Sequence, residues 1–333
     1  MERIVSIIMP TYNEERFIEQ SIQSMLAQDF PTGQWELLII DGMSTDKTRE
    51  LLKPYIERYS YIRLLDNPRH TAPCAMNIGI REAKGEYICR IDAHSVFPVN
   101  YISTLLNYTQ ELPDASNVGC VCKTLPANDS PQARAIAIAC SHPFGVGNNT
   151  FRTATIDSVT ETDTVPFGFW RKTLFERIGM FDEELIRNQD DEFNARTIQH
   201  GGHIYLVPGI STIYYSRDSI SKTAQMFYQY GLFKPLVNHK LKHPATLRQF
   251  IPLLFVIGLM IGLPLIFLSK VILYLYIGCI AIYIIGTGLI SMQYKNCYLP
   301  LVFFTIHWSY GWGYLCGISK LISKQSFQVN TNR

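Results

Sequence analysis

The sequence predicts an α/β fold, in which a doubly wound, mostly parallel β-sheet is followed by apolar C-terminal helices. Short continuous apolar runs alternate with segments of helical spacing in the first third of the 333-residue chain. This is the order expected of a parallel sheet with helices on both faces. Polar clusters follow the apolar runs, and long apolar segments fill the last third. These observations predict a ligand-binding domain over residues 1–220 and a membrane-associated region after it.

The predicted strands and helices alternate without interruption as far as residue 91. Each strand is a short apolar run, as expected where both of its faces are buried, and each helix repeats apolar residues at intervals of three and four. The polar residues 44–46 offer a cap for the second helix. The predicted strands are 4–9, 36–40, 62–65 and 87–91, and the predicted helices are 15–26, 47–59 and 72–83.

Polar residues stand directly after each predicted strand. Because ligands of open parallel sheets bind at the carboxyl ends of the strands, four such clusters predict a nucleotide pocket. In chain order the clusters are Pro10, Thr11, Asn13 and Glu14, then Asp41, then Asp66 and Asn67, and finally Asp92 and His94.

Composition excludes some classes of partner. The net charge of +2 is too small to predict nucleic acid as a partner. The eight cysteines show no spacing typical of zinc ligands. The apolar start of the chain is too short for a signal peptide, so we expect reduced core cysteines in a cytoplasmic domain.

These motifs together resemble the inverting GT-A glycosyltransferases of family two. The resemblance covers about residues 1–220 and depends on PTYNEE, DGMSTDKT, NPRHTAPCAMNIGIREAKGEYI and IDAH. VPFGFWRK, NQDDEF and YQYGLFK, followed by the apolar segments, are similar to the succinoglycan-type glucosyltransferases of exopolysaccharide assembly. The resemblance implies a Rossmann-like GT-A domain that moves a sugar, with UDP-glucose the first choice of donor, onto a polyprenyl diphosphate-linked glycan.

The resemblance also implies a donor site. Asp92-Ala93-His94 occupies the metal motif of the family, usually Asp-x-Asp, with His in the third place. Since imidazole ligates Mn²⁺ readily but suits Mg²⁺ less well, a divalent metal held by Asp92 and His94 is expected to be Mn²⁺, with a metal-independent variant as the alternative. The donor residues implied are Pro10, Thr11, Asn13, Glu14, Asp41, Arg69, Asn77 and Asp92.

Each of these residues also has a purely structural interpretation. Asp41 could form a turn, and the loop at 11–14 could simply start a helix. Arg69 could be a surface charge, and Asn77 could be structural.

The acidic pair Asp190 and Asp191 precedes a helical segment. The helix dipole alone would favour carboxylates there, but the resemblance implies that Asp191 is the general base, with Glu192 as the fallback. Attack opposite the leaving nucleotide would invert the anomeric centre. The acceptor residues implied are Phe169, Trp170, Arg171, Gln229 and Tyr230, with ordinary core packing as the alternative for the aromatic rings.

The last third of the chain predicts attachment to a bilayer. Residues 221–249 form a basic amphipathic segment with five Lys or Arg and no acidic residue, which suits an anionic membrane surface. Apolar runs at 250–268, 271–290 and 299–318 predict an anchor of two to three helices over 250–320, before a tail at 321–333. We expect a bacterial inner membrane protein whose catalytic domain faces the cytoplasm. A buried hairpin of a soluble protein is the alternative.

Three other functions compete with this prediction. The acceptor could be the polyprenyl phosphate itself, the fold could serve as a non-catalytic scaffold, or the chain could be a transporter. Transport is disfavoured because His307 is the one polar candidate at mid-membrane depth. Other polysaccharide-assembly proteins are possible partners.

Overall fold

The computed structural model describes residues 4–147 and 149–327, which form two compact units. The first contains residues 4–123 and 154–214, and the second contains 124–153 and 215–327. The predicted domain of 1–220 differs from this division because residues 124–153 belong to the second unit. Part of the predicted tail at 321–333 lies outside the described residues.

The strands of the described chain form one eight-stranded sheet. Four neighbouring strands run parallel, and antiparallel pairs complete the other side. The predicted α/β fold with a mostly parallel sheet is therefore confirmed. The strands are β1 (Val5–Thr11), β2 (Trp35–Asp41), β3 (Ile62–Asp66), β4 (Tyr87–Arg90), β5 (Ala115–Leu125), β6 (Thr160–Glu161), β7 (Phe169–Arg171) and β8 (His203–Tyr215), in the spatial order β3-β2-β1-β4-β7-β5-β8-β6.

The helices divide between the two units. Those that flank the sheet have polar outer faces, whereas the last three of the chain are dominated by apolar residues. A 3₁₀ turn at Leu247–Gln249 leads into these three. The helices are α1 (Ile18–Leu26), α2 (Thr48–Arg58), α3 (Ala72–Glu82), α4 (Tyr101–Glu111), α5 (Pro131–Ser141), α6 (Pro143–Val146), α7 (Thr150–Thr153), α8 (Thr173–Ile178), α9 (Gln189–Gln199), α10 (Ile220–Leu241), α11 (Phe250–Leu265), α12 (Lys270–Gln293) and α13 (Leu299–Ile322).

The core of the first unit lies on both faces of the central strands. Every residue of β2 is buried, as its continuous apolar run predicts. On one face α3 packs against β1 so closely that a Cβ added at Gly79 would lie 2.5 Å from Ile8 Cγ2. Glycine at this position therefore allows the helix to approach the sheet.

The second unit is helical. Its core joins α5, α10 and α13 through apolar side chains that include Ile136, Phe227, Phe303 and Ile306. Because α5 packs there, residues 124–153 group with the C-terminal helices rather than with the sheet.

Two helical segments of the described chain, Leu247–Leu265 and Lys270–Gln293, are long and apolar enough to cross a bilayer. The third apolar run forms α13, which is largely buried on one side against α5 and α10. Because one face of α13 packs on the core of its own unit, α13 buries more of its apolar side chains than the helices formed by the other two runs.

Candidate active site

Hydrogen bonds between backbone and side chains join the loops that follow β1 and β2. The Asn13 N–H donates to the Ser44 hydroxyl (2.9 Å), and the Asn13 side-chain oxygen accepts from the Thr45 N–H (2.8 Å). The Glu14 N–H donates to the Thr48 hydroxyl (2.8 Å). Asn13 has a positive φ of 53°, which Asn tolerates better than most residues. The two loops therefore form one continuous rim at the strand ends.

Asp41 is the last residue of β2 and is fully buried. Its Oδ1 accepts from the Ser44 hydroxyl (2.5 Å), and its Oδ2 lies 3.0 Å from Arg49 Nε. Pro10 and Thr11 end the neighbouring strand β1, and the Thr11 hydroxyl donates to a backbone carbonyl of that strand (3.1 Å). The predicted donor residues Pro10, Thr11 and Asp41 therefore lie next to one another at the carboxyl ends of two neighbouring strands.

The turn after β4 carries Asp92 and His94. His94 Nδ1 lies 3.4 Å from Glu14 Oε1, and Asp92 Oδ1 lies 3.2 Å from an Arg90 guanidinium nitrogen. The His94 ring also meets the Tyr214 ring edge-on, with centroids 6.1 Å apart. The predicted metal motif therefore packs against the β1 loop, which in turn joins the β2 loop.

Asp92 and His94 offer a carboxylate and an imidazole, two kinds of side chain that divalent cations bind. No group of three or more His, Cys, Asp or Glu side chains that could hold a metal occurs among residues 4–147 and 149–327. One carboxylate and one imidazole leave most coordination positions to other oxygens, as in sites where nucleotide phosphates share the ion. The donor set thus suits an ion that arrives with a diphosphate.

Asp190 and Asp191 occupy the first turn of α9. The Asp190 carboxylate accepts from the Asp191 N–H (3.0 Å). Desolvation, followed by the charge of Asp191, raises the pKa of Asp190, and the Arg90 guanidinium opposes the shift. Arg90 is buried and also pairs with Asp92. Its guanidinium therefore interacts electrostatically with both the acidic pair and the metal motif.

Glu192, the predicted fallback base, is held in an ion pair. It is 4% exposed, and its two carboxylate oxygens accept from Arg196 at 2.8 and 3.0 Å. Arg196 also donates to the backbone carbonyls of Ile178 and Met180. A buried carboxylate engaged in this way is a poor base, so the fallback prediction is wrong in this geometry, and Glu192 instead helps fix α9.

Asn77 and Arg69 contact the loop before α9. The Asn77 amide donates to the Phe181 carbonyl and to Glu183 (both 2.9 Å) and accepts from the Phe181 N–H (3.0 Å). Arg69 pairs with the same Glu183. The hydrogen bond from Asn77 is the main cause that lowers the pKa of Glu183. This geometry favours a structural role for Asn77, and donor binding by either residue stays a prediction.

Phe169, Trp170 and Arg171 correct the predicted acceptor segment. Phe169 is fully buried, and Trp170 is 3% exposed within an aromatic cluster. Rings enclosed in the core cannot stack on a sugar. Arg171 pairs with Tyr87 across β7 and β4 and donates to its hydroxyl (2.7 Å), so it lies at the start of β4, opposite the end that carries Asp92. The sequence alone did not reveal that β7 runs antiparallel to β4, which is why Arg171 lies at the opposite end from Asp92.

Gln229 and Tyr230 lie on α10 in the second unit. Gln229 is 5% exposed, and Tyr230 packs against the apolar core of that unit. Acceptor contacts by these two residues stay a prediction.

Three arginines that sequence reasoning missed form ion pairs with predicted carboxylates: Arg90 with Asp92, Arg49 with Asp41 and Arg196 with Glu192. Arg90 ends the otherwise apolar strand β4, and a charged residue buried there needs a paired opposite charge. That rule could have indicated Arg90 beforehand. The partners of Arg49 and Arg196 depend on the fold, and nothing in their sequence neighbourhood identifies them.

The chain matches the model of the family described as glycosyl transferase family 2 over residues 6–179. It is 30% identical to a Methanococcus voltae dolichyl N-acetyl-alpha-D-glucosaminyl phosphate 3-beta-D-2,3-diacetamido-2,3-dideoxy-beta-D-glucuronosyltransferase, over 95% of this chain and 97% of the relative. It is also 30% identical to the succinoglycan biosynthesis protein ExoA of Rhizobium meliloti, over 74% of each chain.

Solved structures have the same fold. A mannosyltransferase of Pyrobaculum calidifontis, in complex with GDP-Man and Mn²⁺, has a TM-score of 0.61 at 17% identity, covering 94% of this chain and 88% of its own. Residues 1–349 of S. aureus TarS, in complex with UDP-GlcNAc, have a TM-score of 0.53 at 15% identity, covering 99% and 94%. Fold, family match and relatives agree with the motifs at the strand ends. The chain therefore belongs to glycosyl transferase family 2 and is a glycosyltransferase.

Proposed function

We propose that this protein transfers a sugar from UDP, with UDP-glucose as the first candidate, to a polyprenyl diphosphate-linked glycan at the cytoplasmic face of a bacterial membrane. The observation that carries the proposal is a series of contacts across the strand ends. It runs from Asp41 through Ser44, Asn13 and Glu14 to His94, and from Asp92 through Arg90 toward Asp190. Strands β2 and β4 are separated only by β1, so their ends lie about 10 Å apart.

The donor would lie along this edge. Thr11, Asn13 and Asp41 would frame the nucleoside, and Asp92 with His94 would hold a divalent ion, Mn²⁺ in preference to Mg²⁺. When bound, the ion would neutralise charge on the diphosphate leaving group. The buried Arg90 would hold the carboxylate of Asp92 in place, because an ion pair fixes its orientation.

Asp191 would act as general base. It lies in the first turn of α9, which the Arg196 contacts attach to the rest of the unit. The carboxylate would accept the proton of the acceptor hydroxyl as that oxygen attacks the anomeric carbon opposite the nucleotide. Attack from that face inverts the configuration, so an α-linked donor would give a β-linked product.

A lipid-linked acceptor is supported by the relative and by the exposed apolar helices. The Methanococcus relative is named for a dolichyl phosphate acceptor that already carries a sugar, which favours a glycan acceptor over a bare lipid phosphate. That name gives a phosphate, so the diphosphate of the proposal comes from the family resemblance alone. Only 6% of the most apolar 18-residue stretch of α12 is buried, and such an exposed apolar surface suits lipid. A site in the headgroup plane would give the enzyme access to such an acceptor. The role in exopolysaccharide synthesis is supported by similarity to ExoA.

The test is transfer of radiolabelled sugar to extracted bacterial lipids by the full chain in detergent, with Mn²⁺. We expect a labelled lipid from a UDP-sugar, and we expect Asp191→Asn to lower kcat by about 10²–10⁴-fold, the usual contribution of a general base. The matched control is Asp182→Asn, in the loop before α9, which should retain activity. If Asp191→Asn is as active as wild type, Asp191 is not the base.

Product chemistry separates acceptors, and ligand binding separates donors. A product with two sugars on a diphosphate supports the proposal, whereas two sugars on a monophosphate would indicate the kind of acceptor for which the Methanococcus relative is named. A single sugar on a monophosphate indicates a polyprenyl-phosphate sugar synthase. A thermal-shift screen should show the largest stabilisation with a UDP-sugar and Mn²⁺. Stabilisation by GDP-sugars alone would overturn the donor assignment, and turnover of no nucleotide sugar would favour a scaffold.

A further inference from the structure

The metal motif of this chain carries one negative charge fewer than the Asp-x-Asp motif usual in its family, because His94 stands in the third place. Asp92 and a neutral imidazole together supply a single charge to a divalent cation. A second carboxylate lies beside the imidazole: Glu14 Oε1 is 3.4 Å from His94 Nδ1, and the Glu14 and His94 side chains are 6% and 17% exposed. Three largely buried groups thus restore the charge that two aspartates would carry.

Glu14 is firmly placed for this contact. Its N–H donates to the Thr48 hydroxyl (2.8 Å) at the start of α2, and the preceding Asn13 is bonded to the β2 loop on both sides. The Tyr214 ring meets the His94 ring edge-on. The imidazole therefore lies between the Glu14 carboxylate and an aromatic ring.

We propose that Glu14 is a positioning residue for His94. Its carboxylate accepts a hydrogen bond from Nδ1–H, so that Nε2 is the nitrogen that ligates the metal. Histidine ligands commonly donate their second ring nitrogen to a carboxylate, which fixes the tautomer and raises the basicity of the ligating nitrogen. Glu14 then acts through His94 rather than by contacting the nucleoside, the role that the family resemblance implies. This inference rests on the proposed metal-assisted transfer.

The first measurement is pulsed EPR of Mn²⁺ bound to the tag-free full chain in detergent, with UDP present. Wild type should show coupling to a directly ligated imidazole nitrogen, and His94→Ala should remove it. If wild type shows no such coupling, the proposed metal site and this inference both fail.

The second measurement tests Glu14 alone. We compare the Mn²⁺ concentration that gives half of the maximal thermal stabilisation, at fixed UDP, for wild type, Glu14→Gln and the matched control Glu15→Gln. Loss of such a carboxylate typically weakens metal binding by about 10–100-fold, so Glu14→Gln should require at least about tenfold more Mn²⁺. Glu15 is exposed and accepts from the Lys47 N–H (3.1 Å), which its amide can still do, so the control should match wild type.

A double-mutant cycle gives the sharpest outcome. In a His94→Asp background the ligand has no second nitrogen to be oriented, and a carboxylate at Glu14 would repel it. Adding Glu14→Gln there should leave Mn²⁺ binding equal or stronger, opposite in sign to its effect in wild type. If Glu14→Gln weakens both backgrounds equally, or leaves wild type unchanged while the imidazole coupling persists, Glu14 does not position His94, although the metal site stands.

Discussion

At the scale of single residues, the acidic pair of α9 combines opposing electrostatic effects. The dipole of the helix stabilises carboxylates in its first turn, whereas desolvation and the adjacent Asp191 charge raise the pKa of Asp190. Arg90 offsets part of that rise. Two neighbouring carboxylates in unlike surroundings can thus serve different roles, one as a base and one as part of its environment.

The raised pKa of Asp190 predicts a stability effect that depends on pH. A carboxyl group whose pKa is higher in the folded state favours folding below its unfolded value of about 3.9 and loses that contribution as pH rises through the folded value. Asp190→Asn removes the charge, so its melting temperature should exceed that of wild type near pH 7.5. The advantage should disappear near pH 4. Thermal unfolding between these values measures it, and an advantage that is constant with pH would contradict the electrostatic cause.

Asn77 provides a test of structure against donor binding. Asn77→Ala would leave the buried Phe181 N–H and carbonyl without the partner they have now, at a cost of about 1–3 kcal/mol for each unsatisfied group. We expect a clear loss of stability with little change in donor KM. Asn107→Ala, at an exposed position of α4, is the control and should change stability by less than about 0.5 kcal/mol. A large rise in donor KM without destabilisation would instead establish Asn77 as a donor ligand.

At the scale of elements, packing of α3 on β1 places the loop that carries Arg69 beside the strand ends. Gly79 makes this packing possible, because an added Cβ would lie within 2.8 Å of three Ile8 atoms. A contact this short, against a side chain fully enclosed by the core, forces the helix or the strand to shift.

Gly79→Ala should therefore destabilise the first unit by about 1–3 kcal/mol, as overpacking usually does. Gly258→Ala in α11 is the matched control, since no atom outside its own helix lies within 4 Å of the added Cβ. That control should leave the melting temperature unchanged or slightly higher, because Ala favours helix over Gly. Equal melting temperatures for Gly79→Ala and wild type would show that α3 can move away at no cost.

At the scale of the whole molecule, the amount of exposed apolar surface on α11 and α12 exceeds what a water-soluble protein normally carries. Ile251 and Leu254 on α11 are each 64% exposed, Ile282 on α12 is 73% exposed, and similar side chains continue along both helices. If α11 and α12 both cross the bilayer, α13 returns to the side of α10. If α10 is cytoplasmic, Lys320 and Lys324 then lie in the cytoplasm too, in agreement with the positive-inside tendency.

Labelling with a membrane-impermeant maleimide tests this topology in spheroplasts that carry single-cysteine variants. Cys279 lies within α12, and Cys297 lies in the connection between α12 and α13. We expect Ser269→Cys, between α11 and α12, to react in intact spheroplasts and Cys297 only after permeabilisation. Cys279 should react only in detergent. Reaction of Cys297 in intact spheroplasts would instead indicate that only one of α11 and α12 crosses the bilayer.

The sequence by itself determined the alternation of elements, the mostly parallel sheet and the polar clusters at the ends of its strands. It could do so because local apolar periodicity is what forms buried parallel strands and their helices. The observed strands β1 to β4 begin and end within two residues of the predicted ones. The same patterning indicated three apolar helices, but it did not show that α13 packs on the core of its own unit, since lipid-facing and core-facing residues have similar composition.

Only the tertiary structure decided which side chains in those motifs are available for chemistry. Trp170 and Phe169 read as aromatic ligands of a sugar, but an antiparallel strand buries them and carries Arg171 away from Asp92. The sequence offered Glu192 as an alternative base, but both of its carboxylate oxygens accept hydrogen bonds from Arg196. The physical reason is that strand direction, ion-pair partners and burial depend on residues distant in the sequence, whereas a motif reports only its own neighbours.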